Sequence, residues 1–182
     1  KTSGRAIDGV EVLVVDENGS EVQAGEPGEV VIRGYNIMRG YLDDPEQTAE
    51  TIDKNGWLHT GDIGVMDQNG YLDITDRKKD MIITGGFNVY PAEVENSLMS
   101  HPEIGQIAIV GAPDERLGEI AVAFVVPAKQ TDPTEADLIN WARERIANFK
   151  VPRQVIFVDH LPTNASGKVL KFELRESINS SK

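Results

Sequence analysis

A lysine in a polar loop, an aspartate at a strand edge and a run of charge ahead of two glycines are the residues of this sequence whose types and spacing can do chemistry. Lys168 lies in "ASGKVLK", on a loop that also carries Pro162, Asn164, Ser166 and Gly167 and leads into the last helical segment. A lysine alone in a polar loop is usually an ordinary surface residue, but a compact charge on a flexible stem, carried on such a loop, can be delivered into a neighbouring cleft. The loop fails the Walker pattern, because no first glycine stands at the right distance upstream and no Ser or Thr follows the lysine. Asp62 closes "HTGD". Its carboxylate can accept hydrogen bonds from ligand hydroxyls, or it can bond its own backbone as a turn residue. In "TDRKKDMIITGGFNVYP" five consecutive charged residues, Asp76 to Asp80, precede a short apolar run and the pair Gly85-Gly86. Taken alone, that charge run reads as a solvated turn and the glycine pair as a loop.

The elements around these residues change character along the chain. "VEVLVVD" and "GEPGEVVIRG" read as β-branched strands closed by turns. "DDPEQTAETI" reads as a short helix with Asp44 as its cap and Pro45 in its first position. Asn69-Gly70 is the strong signal for a two-residue hairpin. From about residue 80 the pattern mixes strands and helices. "AEVENSLMS" is a short amphipathic helix behind Pro91, "EIGQIAIVGA" and "GEIAVAFVVPA" are apolar strands joined by the polar "PDERLG", "TEADLINWARERIANF" is a helix with Thr134 and Asp137 in a capping pattern, "RQVIFVD" is a third strand and "KFELRESI" a last helix. The fold class expected is α+β: a β-rich segment over residues 1–76, a junction at 77–80, and a small α+β domain over 81–182 with a three-stranded sheet and flanking helices. The charge run then falls where the two parts meet, where a two-domain chain places its mobile residues.

Composition narrows the function classes. The chain has 182 residues, 40% of them hydrophobic, enough for a sizeable core. Thirty acidic against 18 basic side chains give a net charge of −12, a poor surface for nucleic acid. Without cysteine there is no disulfide, thiolate metal site or cysteine nucleophile. His59, His101 and His160 are too scattered for a metal set. No apolar run reaches the ~18 residues of a membrane helix. The amino end has no signal-peptide core and no initiator methionine, which reads as a cut or processed end, and the expected location is cytoplasmic.

Four stretches in this order, "GYLDDPEQTAET", "GWLHTGD", "GYLDITDRKKDMIITGGFNVYPAEVE" and "LPTNASGKVLK", closely resemble the carboxyl-terminal part of the adenylate-forming superfamily, and within it the acyl-CoA synthetases. The resemblance covers nearly the whole chain and implies roles by position. Asp62 matches the aspartate that binds the ribose hydroxyls of ATP and of the acyl-adenylate. Arg77 matches a second nucleotide contact, and Lys79 the hinge about which the small terminal domain swings. Gly86 lies in the loop that lines the pantetheine tunnel. Lys168 matches the lysine that reaches the substrate carboxylate and the α-phosphate. The implied reaction joins a carboxylic acid to ATP, with Mg²⁺, to give acyl-AMP, after which the terminal domain rotates and the CoA thiol displaces AMP.

The superfamily's larger domain, with its phosphate loop, acyl pocket and most of the adenine site, has no counterpart here. "TSGR" at Thr2 to Arg5 is not that loop. The β-rich segment therefore resembles the β-barrel-like tail of the large domain. The expectation is a carboxyl-terminal fragment of a carboxylate-CoA ligase, inactive alone, whose partners are that missing domain and a fatty-acid-like substrate. Two further readings stand beside it. In one, the acceptor is a carrier-protein phosphopantetheine, and a CoA 3′-phosphate would need a cation such as Lys150, Arg153 or Lys171. In the other, the chain is a non-catalytic interaction module.

Overall fold

The computed structural model describes residues 2–180, with side chains described as far as residue 178. The chain divides into two compact units, Lys1–Lys79 and Asp80–Lys182.

The first unit is a four-stranded antiparallel meander, β1 (Val10–Val15), β2 (Pro27–Gly34), β3 (Leu58–Met66) and β4 (Leu72–Arg77), in sheet order β1-β2-β3-β4. Its interior comes from the β-branched runs: Val14 and Val30 are paired across β1 and β2, and both are buried with Val15, Val31 and Ile63. Helix α1 (Pro45–Thr51) begins as the sequence dictates, with Asp44 accepting from Gln47 N at 2.9 Å and Pro45 in the first turn.

The β3–β4 turn differs from expectation. Asn69-Gly70 is not a two-residue loop. Asp67 O accepts from Gly70 N at 3.0 Å, Asp67 N donates to Tyr71 O at 3.0 Å, and the Asp67 carboxylate takes the amides of Asn69 and Tyr71. Only Gly70 has a positive φ, +80°. An aspartate that can bond the amides two and four residues on favours this longer turn with a glycine bulge over the tighter alternative.

The second unit is α+β, as its sequence pattern implies, but its sheet has five strands instead of three. The expected three are β7 (Ile104–Asp114), β8 (Gly118–Pro127) and β9 (Gln154–Phe157), with β9 parallel to β8. The additional two are β5 (Ile82–Thr84) and β6 (Phe87–Val89), a hairpin whose β5 meets β8 at Thr84 and Gly118. Its two-residue turn is Gly85-Gly86, with φ of +58° and +85°. Two consecutive positive φ values are the type I′ pattern, which matches the twist of short strands and which glycine adopts at no steric cost. Because Ile82 and Val89 are paired and both buried, the pair closes over the core instead of hanging as a loop.

The β7–β8 pair is covered on both faces, which explains its nearly continuous apolar sequence. Ile107 and Ile109 face one cluster with Val94, Leu98 and Leu138, from α2 (Pro91–Leu98) and α3 (Glu135–Arg143). Ala108 and Val110 face another with Leu161 and Leu174, the latter from α4 (Lys171–Ser180). Helix α3 starts at its Thr134 cap, which accepts from Asp137 N at 3.2 Å, but ends at Arg143 and not near Phe149. Beyond it the chain turns, with Lys150 N donating to Ala147 O, and leads to Pro152.

Candidate functional site

In the first unit, an irregularity in the β2–β3 ladder shapes the surroundings of Asp62. Between the pairs Glu29↔Ile63 and Val31↔His59, the single residue Val30 faces Thr60, Gly61 and Asp62. Such a bulge re-aims side chains. Gly61 supplies the left-handed backbone it needs, at φ +68°. Thr60 Oγ1 donates to Val30 O at 2.7 Å and accepts from Asp62 N at 3.1 Å, so the local turn bond is made by the threonine and the Asp62 carboxylate is spared for other partners.

Asp62 and Arg77 are directly opposite each other on β3 and β4, and Arg77 Nε lies 2.7 Å from Asp62 Oδ1. The two residues expected to contact a nucleotide are thus brought together. Half of the Arg77 side chain and about a quarter of the Asp62 side chain, 50% and 26%, remain exposed. The arrangement is an oriented carboxylate beside a cation, both partly open to solvent. It fits a ligand that offers hydroxyl donors to the carboxylate and an anionic group to the guanidinium.

Sequence reasoning missed the group beneath this pair. Glu29 is buried, its side chain 8% exposed. Its Oε2 meets His59 Nδ1 at 3.0 Å and Lys78 Nζ at 2.9 Å, and its Oε1 accepts from Gly61 N at 3.3 Å. Burial pushes the Glu29 carboxyl up, but the bonds from His59 and Lys78 outweigh it and hold the group below its ordinary value. The available signal was a glutamate inside the otherwise apolar run "GEVVIRG", where only a paired carboxylate belongs.

In the second unit, Lys168 stands on a loop organised by Asn164. Asn164 Oδ1 accepts from Ser166 N at 3.0 Å, Ser166 Oγ at 2.8 Å and Lys168 N at 2.9 Å, while Asn164 N donates to Lys168 O at 2.9 Å. The backbone of Lys168 is fixed, and its exposed side chain has no partner among the described residues. Gly86 is on a separate loop, the β5–β6 turn, where Gly85 N donates to Leu117 O at 2.8 Å. No atom lies within 4 Å of where a Gly86 Cβ would be. Lys79 is exposed in a single 3-10 turn, Lys78–Asp80.

The three cations considered for a CoA phosphate differ. Lys150 Nζ is paired with Glu93 Oε2 at 2.7 Å, and Lys171 Nζ with Glu95 Oε1 at 2.7 Å, the latter pair largely buried. Arg153 is exposed, and its guanidinium donates to Asn148 O at 3.4 Å. No group of three metal-ligating side chains is gathered among the described residues. No helix among them is long and apolar enough to cross a membrane.

Residues 93–168 match the AMP-binding enzyme C-terminal domain, and residues 1–42 match the AMP-binding enzyme family. A ligase of Rhodococcus jostii, named for joining CoA to a propanoyl group on a methyl-dioxo-octahydroindene ring, is 56% identical over 96% of this chain and 32% of its own length. A long-chain-fatty-acid–CoA ligase of Escherichia coli O157:H7 is 47% identical over 95% of this chain and 30% of its own. The crystal structure of ATP-bound MatB from Rhodopseudomonas palustris superposes with a TM-score of 0.90 at 40% identity, over 97% of this chain and 35% of that one. The chain spans about a third of the length of the curated relatives it matches. With both family matches in their expected order and the motifs between them in place, the chain belongs to the adenylate-forming superfamily, as the carboxyl-terminal part of its members.

Proposed function

We propose that this chain serves as the carboxyl-terminal part of an ATP-dependent carboxylate-CoA ligase. The observation that carries the reading is its 56% identity, over nearly its whole length, to a part of a CoA ligase. The geometry supports the roles. Asp62 accepts from the ribose hydroxyls of the nucleotide, and Arg77 holds the carboxylate in place. Lys168, on a fixed backbone with an unpaired ammonium, offsets the repulsion between the incoming carboxylate and the α-phosphate. The carboxylate oxygen attacks the α-phosphorus, pyrophosphate leaves, and acyl-AMP remains. The CoA thiol then loses its proton and attacks the acyl carbon, and AMP departs. Gly86 lines the pantetheine path, and Lys79 is the pivot between the two arrangements. Mg²⁺, bound with ATP, would supply charge neutralisation at the phosphates.

The substrate is a small-molecule carboxylic acid. The relatives act on a ring-bearing propanoyl group and on long-chain fatty acids, so a fatty acid is one member of the class and not its definition.

The test joins this chain to the larger part of a relative and measures pyrophosphate release and thioester formation with a panel of aliphatic and aromatic carboxylic acids. CoA-dependent thioester supports the ligase. Thioester only on a carrier-protein pantetheine transfers the reading to that acceptor. The isolated chain, which has no phosphate loop, is expected to release no pyrophosphate; release from it refutes the division of labour.

A further inference from the structure

We propose that two ion pairs, Glu29–Lys78 in the first unit and Asp80–Arg175 in the second, anchor the chain on either side of Lys79 and confine the rotation between the units to that one residue. Glu29 and Arg175 are then positioning residues, acting through their partners. The inference rests on the reading of the chain as a ligase that switches about Lys79.

Each anchor lies within its own unit. Lys78 Nζ reaches Glu29 Oε2 at 2.9 Å, and Glu29 is fixed in β2 with bonds to His59 and Gly61 of β3. Lys78 is therefore tied to the middle of the first sheet. Asp80 Oδ1 accepts from Arg175 Nη2 at 2.7 Å, across 95 residues of sequence. Arg175 belongs to α4, which is held by buried Leu174 and by Lys171 on Glu95, and Glu95 Oε1 also takes the amide of Ile109 in β7 at 2.8 Å. Asp80 is therefore tied to the core of the second unit. Lys79 stands between them, exposed, with no side-chain partner among the described residues.

An ordinary surface pair would hold neither neighbour, because exposed pairs contribute little. These differ in that each has one carboxylate mostly withdrawn from water, Glu29 at 8% and Asp80 at 16% exposure. The signs also prevent exchange: the residue before the pivot is a cation seeking a buried carboxylate, and the residue after it is an anion seeking an arginine. With both neighbours held, the soft coordinates left are the φ and ψ of Lys79. The second anchor has a further effect. Lys168 lies just ahead of α4, so the helix that Arg175 ties to the pivot is the one that the Lys168 loop leads into.

Two measurements test this. On this chain as it stands, trypsin cleavage after Lys78 and Lys79 is followed by mass. Glu29→Gln and Arg175→Met should each accelerate it roughly five- to thirtyfold, the factor by which loss of one or two kcal/mol raises an open population. Arg175→Lys should stay near the wild-type rate. If Glu29→Gln does not fold, Lys78→Met breaks the same pair from its exposed side and leaves the Lys79 site to be read. In the ligase completed with a larger part, Lys79→Pro should abolish thioester formation while sparing acyl-AMP formation. Adding Arg175→Met or Lys78→Met frees a neighbour to rotate instead, and should restore thioester formation at least in part. Accelerated cleavage together with a harmless Lys79→Pro would uphold the anchors and refute the pivot in the ligase. A damaging Lys79→Pro that neither release relieves, with cleavage unchanged, overturns the anchors and leaves the ligase reading intact.

Discussion

Asp62 is paired to Arg77 at 2.7 Å, yet both remain partly exposed, so the pair contributes at most about 1 kcal/mol to stability. Asp62→Ala in the completed ligase should therefore weaken ATP binding in calorimetry and barely move the melting temperature. A large drop in melting temperature with normal affinity would make Asp62 a structural residue. Lys168 has its backbone bonded to Asn164 and its ammonium unpaired, so Lys168→Ala removes charge and little else. Adenylation should fall by ~10²–10³, the loss of one preorganised charge contact, while thioester formation from supplied acyl-AMP survives. Equal loss in both half-reactions would point to structure. Glu29 was not legible, because its partners His59, Gly61 and Lys78 lie about 30 to 49 residues away and no local pattern joins them. Its carboxyl is held below its ordinary value in the folded state, so its contribution to stability is complete above the unfolded value and is lost as the pH falls through the folded one. Glu29→Gln should cost about 1–3 kcal/mol near neutral pH and converge on wild type in acid, read by denaturant unfolding at several pH values. A difference that persists undiminished in acid would mean that the charge is not what stabilises.

At the scale of elements, strands and helices with strong periodicity were legible: β1, β2, β7, β8, the Asp44 cap and the Thr134 cap fall where the residue types place them. The two glycine turns were not, and for one reason. A turn's type is set by which groups can reach its amides, and Asp67 captures those of Asn69 and Tyr71, drawing "DQNGY" into a longer turn. Nothing of the kind precedes Gly85-Gly86, so the backbone takes the tight mirror-image turn and two short strands pair to widen the sheet. The space around Gly86 is open, and its constraint is the φ of +85° alone. Gly86→Ala should therefore cost about 1–2 kcal/mol by thermal or chemical unfolding, the penalty of a Cβ in left-handed backbone. Gly86→Asn should cost less, because asparagine tolerates that region. If the loop lines a pantetheine path, both should slow thioester formation more than adenylation. Equal costs for Ala and Asn would mean that the strain is not conformational.

For the whole molecule, the question is why a chain would carry "DRKKD" between two independently cored units. Each unit has its own buried cluster, so either can hold its shape while the segment between them changes. A stretch that passes through several orientations cannot bury apolar groups in all of them, and three of its charges, Arg77, Lys78 and Asp80, are held by ion pairs within their own units. Such a segment still needs a point of rotation, and Lys79 is the exposed residue whose two neighbours are both tied down. Proline fixes φ near −65° and removes an amide donor. Lys79→Pro in the completed ligase should therefore trap one arrangement, and half-reactions that use different arrangements should separate, with near-normal acyl-AMP formation and severe loss of thioester. Lys79→Ala should be mild, because the backbone and not the ammonium is at issue. Both are read by pyrophosphate release and by thioester formed from supplied acyl-AMP. If alanine were as damaging as proline, the ammonium would be taking part in the chemistry, and the pivot would have to be sought elsewhere.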